Sequence, residues 1–149
     1  MINLKLIYKI IGSLLFIEAM MLVVCLGVSV YYHEDDLLAF ASSIAISAGT
    51  GLILRLFARN CDNNLSRRDA YLVVTLTWVV FSLFGTLPFL IGGYLHSFTD
   101  AFFETMSGFT TTGASIIDNV DILPHGILFW RSFTQWIGGL GIVFFTIAL

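Results

Sequence analysis

The chain has 149 residues, 58% of them hydrophobic and only 11% charged, and its mean hydropathy is +0.92. Soluble domains carry roughly a quarter charged residues, and seven Lys and Arg with ten Asp and Glu cannot cover the surface a soluble domain of this size exposes. A net charge of −3, with no basic cluster interleaved with aromatics, excludes a nucleic-acid partner, and the hydropathy excludes a disordered or collagenous chain. What remains is an all-α membrane protein whose first partner is the lipid bilayer.

A helix needs about 20 mainly apolar residues to cross the hydrocarbon core. The first such stretch covers residues 10–32, preceded by Lys5 and Lys9 and closed by the interfacial pair Tyr31 and Tyr32. It is too long for a cleaved signal peptide, and His33, Glu34, Asp35 and Asp36 follow where a cleavage site would need small residues. The second span covers 37–57. Ser43, Ser47 and Gly51 form one small-residue stripe along it and Ala41, Ala45 and Gly49 another, so this helix is built for close packing.

Arg55, Arg59, Arg67 and Arg68 gather around the next loop, which places it, with the N-terminal lysines, in the cytoplasm and the acidic 34–36 turn outside. A capping-box pattern, Ser66 with Asp69, opens a third span over 70–95, which Pro88 should kink or end near its outer end. A final apolar span covers 126–149. Cys25 and Cys61 are far apart and outside any CxxC spacing, so neither a disulfide framework nor a zinc site is expected.

The segment from His96 to His125 is too short and polar to span, yet too apolar for a simple loop. Ser97 to Asp100 reads as a cap opening a short helix that breaks at Gly108 or Phe109. Thr110, Thr111, Thr112, Gly113, Ala114 and Ser115 then follow as an extended segment. A short helix that descends and a Thr/Gly strand that returns make a re-entrant loop, tolerated at membrane depth only where protein buries it or water lines it. A cation that sheds its hydration shell needs oxygens from several sides, and potassium filters supply them as backbone carbonyls. Small side chains let such strands approach an axis, and a glycine lets one carbonyl turn towards it. The site expected here is the carbonyls of Thr110, Thr111, Thr112, Gly113 and Ala114, holding potassium as the transported ion.

The string Phe103-Glu104-Thr105-Met106-Ser107-Gly108-Phe109-Thr110-Thr111-Thr112-Gly113-Ala114-Ser115 closely resembles the first pore loop of TrkH-type potassium uptake subunits in the Trk/Ktr/HKT superfamily. Ser82 to Phe89 before it and Trp130 to Gly141 after it resemble the flanking helices of that family. The resemblance implies an accessory helix pair at 1–58, a cytoplasmic basic loop at 59–69 and a first pore repeat at 70–149. Within the repeat it implies an M1 helix at 70–95, a pore helix at 98–109, a filter at 110–115 and an M2 helix at 126–149. Gly113 maps onto the filter glycine, which the superfamily associates with potassium preference. One pore repeat of an expected four is present, so the chain is expected to be an N-terminal piece of a longer subunit. The resemblance further implies the remaining pore repeats as partners, a homodimer of complete subunits, a cytosolic nucleotide-binding TrkA-like regulator, and residence in the inner membrane.

Glu18 lies mid-span, a functional hypothesis by default, but in a peripheral helix pair it is expected to be packed and hydrogen-bonded or protonated. Glu104 is expected to act as scaffold behind the filter. Arg131 either snorkels or pairs with Glu104, Asp118 or Asp121. Gly138, Gly139 and Gly141 read as close helix packing, and His33, His96 and His125 as histidines of the outer surface. No Ser/His/Asp, HExxH or GxSxG arrangement is present, so neither catalysis nor a bound cofactor is expected. Two other readings fit the same residues: a homotetrameric small cation channel, and a non-conducting scaffold in which 110–115 is only a buried turn.

Overall fold

The computed structural model describes residues 3–59 and 66–148, with side chains for all of these except 67 and 142–148. The helices among them are α1 (Leu4–Tyr32), α2 (Leu37–Phe57), α3 (Arg67–Gly85), α4 (Leu87–Ile91), α5 (Phe98–Phe109) and α6 (His125–Ala148), with one 3-10 turn at Val120–Ile122. Leu4–Tyr32, Leu37–Phe57 and Arg68–Ile91 are each long and apolar enough to cross a membrane. The 24 residues of α6 add a helix about 36 Å long at 1.5 Å per residue. The chain is therefore an all-helical membrane protein. Its outer faces agree: Met20 is 71% exposed, Leu38 77% and Ile53 54%, apolar surface that only lipid or other protein can cover. Cys61 lies outside the described residues, and so does most of the basic loop. Cys25 is buried and free.

Helix α1 begins six residues before the apolar stretch expected from hydropathy. The Asn3 side chain caps it by accepting from the Leu6 N–H at 3.2 Å. Leu6 and Ile7 then bury themselves, and Ile7 packs with Ile11, Leu15 and Val73 of α3. The Asn3 N–H also donates to Asp69 Oδ1 at 3.1 Å, tying the start of α1 to the start of α3. Both hydrogen bonds of the Ser66–Asp69 capping box form, so α3 starts at Arg67, three residues ahead of its apolar run.

Helix α2 folds back along α1 so closely that a Cβ on either Gly12 or Gly51 would stand 2.8 Å from the other's carbonyl oxygen. Ser43, Ser47 and Gly51 form the buried stripe of this contact, whereas Ala41 and Ala45 face outward. Glu18 is fully buried on α1, and neither of its oxygens nor the Ser47 hydroxyl has a hydrogen-bond partner among the described residues.

The third span is not one helix. Regular α-helix stops at Gly85 and restarts at Leu87, because Pro88 has no N–H to give the carbonyl four residues back. Carbonyls near the break find side-chain donors instead. Thr86 Oγ1 donates to Leu83 O at 2.7 Å, Thr105 Oγ1 of α5 to Ser82 O at 2.8 Å, and Trp130 Nε1 of α6 to Gly85 O at 3.1 Å. The helix then ends at Ile91, short of the expected 95, where Gly93 turns the chain at φ 71°. Phe81, Phe89, Phe109 and Trp130 fill the core this arrangement encloses, with Leu22, Cys25 and Phe40 from the first two helices.

Candidate functional site

Helix α5 spans Phe98–Phe109, with Ser97 at the N-cap position, although the Ser97 hydroxyl makes no capping hydrogen bond. Its inner face is wholly buried: Ala101, Glu104, Thr105, Ser107, Gly108 and Phe109. Gly108 allows a close approach to α6, since a Cβ there would collide with the Thr134 hydroxyl unless that side chain moved. Gly138 serves the same purpose from the other side, where a Cβ would stand 2.8 Å from the Phe109 carbonyl carbon. The small residues of α6 are thus the bed on which the end of α5 lies, as their reading as packing glycines anticipates.

Beyond Phe109 the chain does not run straight out as an extended strand. It first curls back on the helix end. The Thr110 N–H donates to Met106 O at 2.9 Å, Thr111 to Gly108 O at 2.9 Å, and Thr112 and Gly113 both to Ser107 O at 3.0 and 3.5 Å. Four successive donors are therefore spent on the terminal carbonyls of α5, which would otherwise lack partners. The curl needs two residues in left-handed conformation, Thr111 at φ 56° and Gly113 at φ 75°. For β-branched Thr111 this is a strained backbone of the kind found at functional sites. Its Oγ1 bond to Thr110 O at 2.7 Å and its N–H bond to Gly108 hold it there.

With the N–H groups turned inward, the oxygens are left. Ala114 O accepts from Ser107 Oγ at 2.6 Å and Thr110 O from Thr111 Oγ1, but the carbonyls of Thr111, Thr112 and Gly113 have no partner within the described residues. All of residues 110–116 are exposed, so these three unpartnered carbonyls belong to an exposed stretch of chain. Chemically these are three consecutive unpaired carbonyl acceptors, able to accept from water or to ligate a cation.

Behind the row stands a charged brace. The buried Glu104 carboxylate pairs through Oε1 with Arg131 Nε at 2.6 Å. Its Oε2 accepts from Ser115 Oγ and from the Ile116 N–H, each at 3.1 Å, and Arg131 Nη2 reaches Ser115 Oγ at 3.2 Å. Of the three partners open to Arg131, the structure selects Glu104, and the pair fixes the chain just downstream of Gly113. The narrow space among Glu104, Thr105, Gly108, Ala114, Arg131 and Thr134 leaves no room for a water molecule. The Glu104 side chain is only 4% exposed, so breaking the pair would leave an enclosed carboxylate without its main charge partner. No group of three or more His, Cys, Asp or Glu among the described residues could hold a metal ion.

A family model described as TrkH, cation transport protein, matches residues 37–149. The chain belongs to the TrkH family. A TrkH potassium uptake protein of Halomonas elongata is 38% identical over 99% of this chain and 31% of its own length. The Escherichia coli protein of the same name is 35% identical over 96% of this chain and 30% of its own. A crystal structure of the potassium transporter TrkH from Vibrio parahaemolyticus superposes with a TM-score of 0.91 at 36% identity, covering 97% of this chain and 31% of that one. The chain thus spans under a third of the length of these TrkH relatives, all of which are transporters rather than enzymes by name.

Several residues that shape the TrkH loop here escape sequence reading. Trp130 and Thr105 serve carbonyls at the α3 break, Ser107 clamps Ala114, and Thr134 lies against Gly108.

Proposed function

We propose that this chain forms the first part of a potassium-translocating subunit in which the carbonyls of Thr110, Thr111, Thr112, Gly113 and Ala114 contribute to a selectivity filter. The observation that carries the reading is the pairing of the loop: four N–H groups turned back on α5 and three consecutive carbonyls of exposed residues left without a partner. Backbone oxygens so arranged can replace part of a cation's hydration shell. Residues 1–58 are then the accessory pair and 70–149 the first pore repeat, with α3 and α4 as M1, α5 as pore helix and α6 as M2. The remaining oxygens come from further repeats of the complete subunit. Lys5, Lys9 and the 59–69 loop face the cytoplasm, and the subunit sits in the inner membrane as a homodimer with a nucleotide-binding TrkA-like regulator.

The test is potassium uptake by the intact subunit in a strain that depends on it. Gly113→Asp places a side chain at a left-handed position on the ion path and is expected to abolish uptake at unchanged membrane abundance. Gly113→Ser is expected to lower the preference for potassium over sodium. Unchanged uptake and preference in both would overturn the filter assignment.

A further inference from the structure

Helix α6 begins at His125 directly after Pro124, which offers no side chain to cap it. The cap comes from 91 residues earlier. Glu34, in the turn between α1 and α2, accepts the His125 N–H at 2.9 Å through Oε1 and the Gly126 N–H at 3.3 Å through Oε2. The same Oε1 pairs with His125 Nδ1 at 2.7 Å, and the His125 ring lies flat on Tyr32, centroids 4.0 Å apart with 4° between planes. Close approach is built in. A Cβ on Gly126 would collide with the Ser29 hydroxyl and stand 2.7 Å from Asp36 Oδ2, so the turn seats directly on the first residues of α6. The Glu34 carboxylate at that helix start also complements its positive dipole end.

Further along, α6 braces the loop from behind through Arg131, which holds Glu104 and Ser115, and Gly138, on which the Phe109 backbone lies. Arg131 lies six residues from the capped end, about 9 Å, and Gly138 thirteen, about 20 Å. A helix held at its start keeps its register all along. We infer that Glu34 is a positioning residue for the pore loop, through which the α1–α2 pair holds α6 in register and so sets the cation preference of the loop.

The inference rests on the filter reading proposed above, so the experiment separates the two. In the intact subunit, potassium KM and potassium-over-sodium preference are measured per molecule in the membrane for Glu34→Ala, Glu34→Gln and Gly113→Ser. Glu34→Ala is expected to weaken the preference by about fivefold, the scale of a lost N-cap, and to raise KM. Glu34→Gln keeps a side-chain acceptor for one N–H and is expected to recover most of that loss. Should Glu34→Ala not reach the membrane, Gly126→Ala pushes the turn off the helix and is expected to give the same shift. Wild-type KM and preference in the Glu34 and Gly126 variants, with Gly113→Ser shifted, would overturn the positioning role alone. An unshifted Gly113→Ser would overturn the filter reading and this one with it.

Discussion

Two glutamates are buried in this bundle, and the chain treats them in opposite ways. Glu104 is surrounded by donors: Arg131 Nε, the Ser115 hydroxyl and the Ile116 N–H. Glu18, fully enclosed between α1 and its neighbours, has none among the described residues. The difference follows the backbone around them. Near Glu104 the chain leaves regular helix and frees N–H groups that a carboxylate can collect. Along α1 and α2 every N–H mid-helix already serves the helix, so a buried carboxyl finds no backbone donor, and the Ser47 hydroxyl of α2 is left equally unpartnered. A buried polar group is a positioning device only where irregular backbone supplies its partners.

The largest effect is expected on breaking the satisfied site. Glu104→Ala leaves the half-buried Arg131 guanidinium without its carboxylate and should cost about 3 kcal/mol, the low end for a broken buried pair, read as a fall in the thermal unfolding midpoint of the purified intact subunit together with loss of transport. Overfilling the bed under the loop comes next. Gly138→Ala drives a methyl into the Phe109 backbone and should cost about 1–3 kcal/mol, and restoration of stability by no second-site change other than one retracting Phe109 would mark the contact as the cause. At the unsatisfied site the sign reverses. Glu18→Leu removes a buried polar group without a partner and should raise the unfolding midpoint by about 1–2 kcal/mol equivalent while transport stays unchanged; a fall in stability would mean that Glu18 has a partner in the intact subunit.

The smallest effect belongs to Glu34, the half-buried glutamate that lies between these extremes. Burial opposes ionisation of Glu34, but hydrogen bonds from the His125 N–H, its ring and the Gly126 N–H outweigh it and hold the carboxyl below the usual glutamate value. A carboxylate whose folded value is depressed contributes stability fully above about pH 5 and loses it as pH falls through the lowered value. Asp36 opposes this, since burial, with the charges of Glu34 and Asp35, raises its carboxyl above the usual aspartate value and its ionised form costs stability. Thermal unfolding scanned from about pH 7 to about pH 4 should therefore show a steeper acid loss in the wild type than in Glu34→Gln.

Much of this architecture was legible from residue order. The two spans joined by the 34–36 turn, the Ser66–Asp69 box, the interruption before Pro88 and the end of the short helix at Phe109 all follow from local chemistry, and local chemistry acts within a few residues. What stayed hidden is contact at long range. Hydropathy cannot tell that the 43–47–51 stripe packs inward and 41–45–49 outward, because both offer the same small side chains. It cannot see that Glu34 caps α6, or that Arg131 prefers Glu104 to Asp118 and Asp121. At the candidate site an extended 110–115 segment was the natural reading of threonines, which favour strands. The unpaired carbonyls at the end of α5 overrode that preference by drawing four N–H groups back, and the left-handed Thr111 is the result.

Gly113 carries one more consequence. Its φ of 75° lies where L-residues are penalised, yet a Cβ built on it would touch nothing within 4 Å. The position therefore selects handedness rather than size. An alanine of the mirror-image configuration, placed there by chemical ligation, would adopt that backbone without strain and leave the oxygens where they are, whereas ordinary alanine, identical in volume, would turn them.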